Sequence, residues 1–103
     1  MTTGLKDAAG HSIIEANKTT IRGTPDSITQ VTLKSGGIDR NYYDSDGKQI
    51  KQISNHNHGN SKCHPYGIYG EHAHDYIWDG DRLVGRPMRE LTDLERKENA
   101  DIL

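Results

Sequence analysis

Phenylalanine is absent from this chain of 103 residues, valine occurs twice, and there is one cysteine. A lone Cys63 excludes an internal disulfide, which fits a reducing compartment. No apolar run approaches the roughly 20 residues of a membrane-spanning helix. Residues 1–20 also lack the continuous apolar stretch of a signal peptide. The expectation is a soluble chain with no membrane partner, cytoplasmic as expressed. An excess of positive charge is missing too: 13 Lys and Arg face 15 Asp and Glu, a formal net charge of −2. That balance argues against bulk electrostatic attachment to nucleic acid or lipid and leaves room only for a local basic patch.

Aliphatic residues are scarce, with 18 of 103 being Ile, Leu or Val. Five tyrosines and one tryptophan supply the missing bulk. The composition predicts a small core with long irregular stretches. A domain this lean is often helped by a metal, a partner or a parent chain.

Residues 1–26 are polar and read as a flexible lead-in or linker, with a short helix over 12–17. Gly23-Thr24-Pro25-Asp26 signals a turn. Residues 27–103 read as one small α+β domain. Residues 27–34 alternate as a strand does. Residues 38–43 and 48–53 flank Asp44-Ser45-Asp46-Gly47, where Asp-Gly predicts a hairpin. Residues 54–70 hold almost nothing apolar and form a long loop, a length that in a small domain points to function or disorder. Residues 71–78 read as a strand with His72, His74, Tyr76 and Trp78 on one face and Ala73, Asp75 and Ile77 on the other. Asp79-Gly80-Asp81 turns the chain into a short strand over 82–85. Thr92 with Glu95 three residues on is a capping box, so a helix should run to about Ala100. The sum is a small, mainly antiparallel sheet of two hairpins plus an extra strand, a His-rich loop and a C-terminal helix.

Five of the six histidines, His56, His58, His64, His72 and His74, fall between residues 56 and 74. Two pairs are spaced i, i+2, which on a strand projects both rings from one face. Three chemistries use such a cluster. Imidazoles with Asp75 or Glu71 suit a divalent transition metal, Zn, Ni, Cu or Fe. Two histidines on opposite sides of a phosphodiester suit metal-free acid–base cleavage of RNA, with Arg40, Lys48 or Lys62 stabilising the phosphorane. A metal-assisted nuclease of ββα type wants a histidine on the helix after the hairpin, and Asp93, Glu95, Glu98 and Asn99 do not provide one. Against these stands the plain reading of polar loop and strand histidines that bond their neighbours. His11 stands apart and reads as solvated. Cys63 beside His64 reads as an ordinary thiol. Tyr42, Tyr43, Tyr66, Tyr69 and Trp78 could stack bases, but in a chain without Phe they fit the core better. Arg82, Arg86 and Arg89 make a basic stripe, with Asp93, Glu95 and Glu98 as solvated ion-pair partners.

The order Asn57-His58-Gly59-Asn60, His64-Pro65-Tyr66-Gly67, Gly70-Glu71-His72-Ala73-His74-Asp75-Tyr76 and Trp78-Asp79 carries a resemblance. With Arg89-Glu90-Leu91-Thr92, Glu95-Arg96-Lys97-Glu98-Asn99 and Asp101-Ile102-Leu103, it resembles a domain at the C-termini of minor head proteins of phages and prophages of Gram-positive bacteria. With the turn after Tyr42-Tyr43, it is also similar to C-terminal domains of polymorphic toxins. The likeness spans roughly residues 27–103; Cys63 departs from it, standing where a lysine-like residue is expected. Toxin C-termini are commonly nucleases, so the resemblance implies by analogy a nuclease acting on RNA, in a cytoplasmic or virion-associated setting. His58, His72, His74 and Asp75 are then the candidate catalytic residues, with Asp75 or Glu71 orienting an imidazole. The alternative is a non-enzymatic module, partnered by phage head proteins or a parent chain, whose His56, His58, His64, His72 and His74 bind a metal such as Zn. The sequence leaves open whether the chain is an enzyme at all.

Overall fold

A computed structural model describes residues 4–56, 67 and 70–103. Among the described residues, nine strands and one helix follow in order: β1 (Leu5–Lys6), β2 (Ser12–Glu15), β3 (Ile28–Thr32), β4 (Ile38–Tyr43), β5 (Gln49–Ser54), β6 (His72–Asp75), β7 (Ile77–Asp79), β8 (Arg82–Gly85), β9 (Met88–Arg89) and α1 (Asp93–Glu98). Seven of the strands form one sheet in the order β1-β2-β3-β4-β5-β6-β9; β7 and β8 form a separate ribbon. Every pairing in the large sheet is antiparallel except β2 with β3. The molecule is therefore mainly β, and its sheet is larger than two hairpins plus one strand. No helix among the described residues is long and apolar enough to cross a membrane.

The extra strands come from segments whose local signals are weak. Residues 12–15, expected to be helical or part of a flexible lead-in, form β2, and Ile13 is buried. Two adjacent β-branched residues favour the pleat, and pairing with β1 and β3 satisfies the backbone. The expected strand over 71–78 breaks at Tyr76. There the Tyr76 N–H donates to the Ile50 carbonyl, and the chain leaves the large sheet.

The Asp-Gly hairpin forms as expected between β4 and β5. Asp44 Oδ1 accepts from the backbone N–H groups of Asp46 and Lys48. Gly47 has φ +80°, and a Cβ there would strike the Gly23 carbonyl, so the turn requires glycine. Tyr43 then pairs with Gln49 while Tyr42 pairs with Lys51, leaving Ile50 as a bulge. This extra residue shifts the alternation, so Gln49 and Gln52 both reach Asn41 on one face.

The two faces of the sheet differ. On one, α1 and the chain after it cover Ile53, Ala73, Leu91 and Tyr42, a small apolar cluster. Around that cluster lie Arg40, Arg89, Lys51 and Glu95. Thr92 caps α1 and Glu95 reaches back to the Thr92 N–H, the expected capping box. Glu95 also pairs with Arg89 at 2.7 Å and Lys51 at 3.0 Å. Burial alone would raise the Glu95 carboxyl. The Arg89 guanidinium, the Thr92 N–H and the Lys51 ammonium outweigh burial and hold it at about 2, against an ordinary value of 4.5.

A depressed folded-state value means that the stabilisation from Glu95 is complete above about 4.5 and is lost as pH falls through about 2. The melting temperature should fall over that window in the wild type. In Glu95→Gln it should start lower at neutral pH and vary less. Parallel melting curves for the two proteins would show that Glu95 is not the acid-sensitive group.

Candidate functional site

The opposite face of the sheet is polar, and cross-strand register builds it row by row. Asp39, Ser54 and His72 form one row; Asn41, Gln52, His74 and Met88 form the next. The chain before β3 crosses part of this face. The Ile21 carbonyl accepts from Gln49 N–H, and Tyr43 Oη donates to the Thr20 carbonyl at 2.6 Å. A cleft of about 530 Å³ opens there, lined by Thr19, Ile21, Asp39, Gln52, His74, Tyr76 and Arg86. The segment read as a lead-in thus supplies one wall.

His72 and His74 project from the same face, as the i, i+2 spacing predicts. Their ring centroids are 5.0 Å apart and the planes stand nearly perpendicular, at 80°. His72 is fully buried, and its Nδ1 donates to the Gly70 carbonyl at 2.7 Å. That bond places the proton of the neutral ring on Nδ1. His72 does not line the cleft; half-buried His74 does. His56 bonds Asp39 Oδ1 through Nε2 at 3.0 Å, and Ser54 Oγ donates to the same oxygen at 2.6 Å. One face therefore joins His56, Asp39, Ser54, His72 and His74 into a continuous polar track. His58, His64, Cys63, Lys62, Tyr66 and Tyr69 lie outside the described residues.

Several expected partners are elsewhere. Asp75 does not orient either imidazole. Strand alternation sends it to the helix-covered face, where Arg89 clamps it at 2.6 and 3.0 Å. Glu71, buried at the start of β6, accepts from Arg96 at 3.0 Å as one of its contacts, and that bond does not decide whether it orients an imidazole. Arg40, expected to stabilise a phosphorane, is fully buried on the helix side among Gln30, Asn99 and Asp101. Lys48 holds the Gly80 carbonyl at 2.8 Å and lies over the Trp78 ring. His11 is paired with Asp7 at 2.9 Å rather than merely solvated. Of the rings expected in the core, Tyr43 is buried and Tyr42 packs partly buried against the apolar cluster, whereas Trp78 is only half-buried.

The residues that sequence reasoning passed over in this site are Asp39, Gln52, Tyr76 and Arg86. Tyr76 had a signal, because it continues the face of His72 and His74. Arg86 had a weaker one, as part of the basic stripe. It differs from Arg40, Arg89 and Arg96, which are all ion-paired. Among the described residues no carboxylate pairs with Arg86; its guanidinium carbon sits 5.7 Å from the Tyr76 ring centroid. Burial pushes the Tyr76 hydroxyl above its ordinary value, and the neighbouring Arg86 charge offsets part of that rise. The cleft therefore holds an imidazole, a cation, the Asp39 carboxylate and a hydroxyl that remains protonated at neutral pH.

No group of three or more His, Cys, Asp or Glu side chains with metal-binding geometry is gathered among the described residues. His72 and His74 are the described pair best placed to contribute to a metal. No protein-family model, no curated protein and no solved structure matches the chain.

Proposed function

We propose that the chain is a phage- or mobile-element-associated, toxin-like ribonuclease that works by acid–base chemistry in the cleft. One observation carries this reading: His74, Tyr76 and Arg86 line the same cavity, and Arg86 has no carboxylate partner among the described residues. A guanidinium that no carboxylate pairs with, in a concave site whose lining also includes Asp39, favours an anionic ligand at its own end. An imidazole beside it can move a proton near neutral pH.

In this scheme His74 takes the proton of an RNA 2′-hydroxyl. The 2′-oxygen attacks phosphorus, and the 5′-oxygen leaves with a proton from a second acid. His58 and His64 are the sequence's candidates for that acid. Arg86 and the Tyr76 hydroxyl stabilise the charge that grows on the phosphoryl oxygens. Buried His72 meets His74 nearly edge-on and limits its ring orientations.

The deciding experiment incubates the protein with labelled RNA and with DNA of the same sequence, with and without EDTA. RNA should be cut in both conditions and DNA in neither, since DNA lacks the internal nucleophile. Cleavage lost in EDTA would replace the metal-free scheme with a metal centre; no cleavage of RNA would remove the ribonuclease reading. Arg86→Ala should slow cleavage by about 10²-fold, the order expected for one lost charge-stabilising donor. An unchanged rate in that variant would take Arg86 out of the site.

A second reading is favoured by the 5.0 Å separation of the His72 and His74 rings. The chain is then a non-enzymatic phage or prophage module whose histidines hold a divalent transition metal. It expects a melting temperature that drops in EDTA, with no turnover of RNA. A melting curve unchanged by EDTA counts against it.

A further inference from the structure

The floor of the cleft is built from hydrogen-bond acceptors, which bears on what it reads. Asp39 is 6% exposed. Its Oδ1 is occupied by Ser54 Oγ at 2.6 Å and His56 Nε2 at 3.0 Å. Nothing among the described residues donates to its Oδ2, and Asp39 lines the cleft, so that oxygen is open to a donor that enters it. Gln52 stands diagonally from Asp39 on the neighbouring strand, two residues along from Ser54, and on the same face.

The orientation of the Gln52 amide is set from below. Its Nε2 donates to Asn41 Oδ1 at 2.9 Å, and Gln49 Nε2 donates to the same oxygen at 2.8 Å. Asn41 Nδ2 in turn reaches the hydroxyls of Thr19 and Thr29 at 3.2 and 3.3 Å. With its nitrogen committed to Asn41, Gln52 offers Oε1 to a ligand, and nothing among the described residues donates to that atom. The floor therefore offers two acceptors, Asp39 Oδ2 and Gln52 Oε1, to which no described residue donates.

A single base edge that satisfies both must carry two N–H donors. Among the four RNA bases, guanine alone has this on its Watson–Crick edge, through N1–H and the exocyclic N2 amine. Adenine and cytosine set one amine beside an acceptor, and uracil sets one N–H between two acceptors. Single-stranded RNA exposes those edges. We infer that Asp39 and Gln52 form a guanine-reading subsite, which makes the enzyme cut beside guanosine. This rests on the ribonuclease reading for its substrate, but the subsite has its own readout in binding.

The experiment titrates the full chain with guanosine, inosine, adenosine, cytidine and uridine monophosphates by calorimetry, and maps cut sites in an RNA of mixed sequence. Guanosine monophosphate should bind about 10–100-fold tighter than the adenosine, cytidine and uridine nucleotides, the range expected for a matched pair of hydrogen bonds to a base. Inosine, which keeps N1–H and lacks the amine, should fall between. Asp39→Asn and Gln52→Leu, each checked for folding by circular dichroism, should shrink the ratio of guanosine to adenosine affinity; a ratio cancels any general loss of binding. Equal affinities for all the nucleotides, or binding of none, overturn the subsite. Cutting without guanosine preference overturns it while leaving the ribonuclease. Selective binding of guanosine monophosphate with no cutting upholds the subsite and overturns the ribonuclease.

Discussion

His74→Ala should lower RNA cleavage by roughly 10²–10⁴-fold, the loss expected when a positioned acid–base group is removed, while the melting temperature stays close to wild type. The two halves of this result have separate causes. His74 lines the cleft and is half-buried, so truncating it opens space toward solvent rather than inside the core. His72, two residues earlier on β6, is fully buried and bonded to the Gly70 carbonyl. His72→Ala should therefore lower stability as well as activity, because it leaves a cavity and a buried carbonyl without its donor. Rates from single-turnover cleavage and melting curves on both variants separate the roles. Full activity in His74→Ala would sink the assignment of the cleft as a ribonuclease site. A stable, inactive His72→Ala would mean that the buried ring takes part in the chemistry more directly than its position indicates.

The second large effect is on stability. Arg40→Ala should cost about 3–5 kcal/mol, the range for breaking a buried charged network from one side. Arg40 is fully buried; its Nε donates to Gln30 Oε1 at 3.0 Å, and its Nη1 donates to both Asn99 Oδ1 and Asp101 Oδ1, each at 2.9 Å. Those bonds tie β4 to β3 and to the chain just beyond α1. Removing the guanidinium leaves Gln30 and Asn99, both buried, short of a donor and opens a void between sheet and helix. With a total stability of about 5–15 kcal/mol expected for a domain, the variant should be marginal at room temperature. Urea unfolding followed by circular dichroism measures the loss. A cost below about 1 kcal/mol, the level of an exposed pair, would show that Arg40 acts as a surface ion pair and not as the tie between the layers.

Much of the fold is legible locally. Thr92 and Glu95 announce a helix start because a capping box is a contact between residues three apart. Asp44 to Gly47 announce a hairpin because one carboxylate and one positive-φ glycine close it. The shared face of His72 and His74 follows from pleat geometry alone. Strand β2 was not legible: Ser12 to Glu15 is too short to show a period, and its extended shape depends on β1 and β3. The break at Tyr76 is likewise set by a hydrogen bond to Ile50, which is distant in sequence.

Of the site, the sequence by itself determined that imidazoles gather between His56 and His74 and that two of them share a strand face, because both facts depend on spacing. Which charges join them was decided only by the tertiary structure. Asp75, next to His74 in the chain, is turned away by alternation and clamped by Arg89. Arg40, whose charge looked available, is buried under α1. Asp39, Gln52 and Arg86 come from two other strands and a connecting segment, and meet His74 only when register aligns β4, β5 and β6 and the chain beyond β8 returns to them. A cleft is a property of strands brought side by side, and strand pairing rests on long-range hydrogen bonds that no local window of sequence contains.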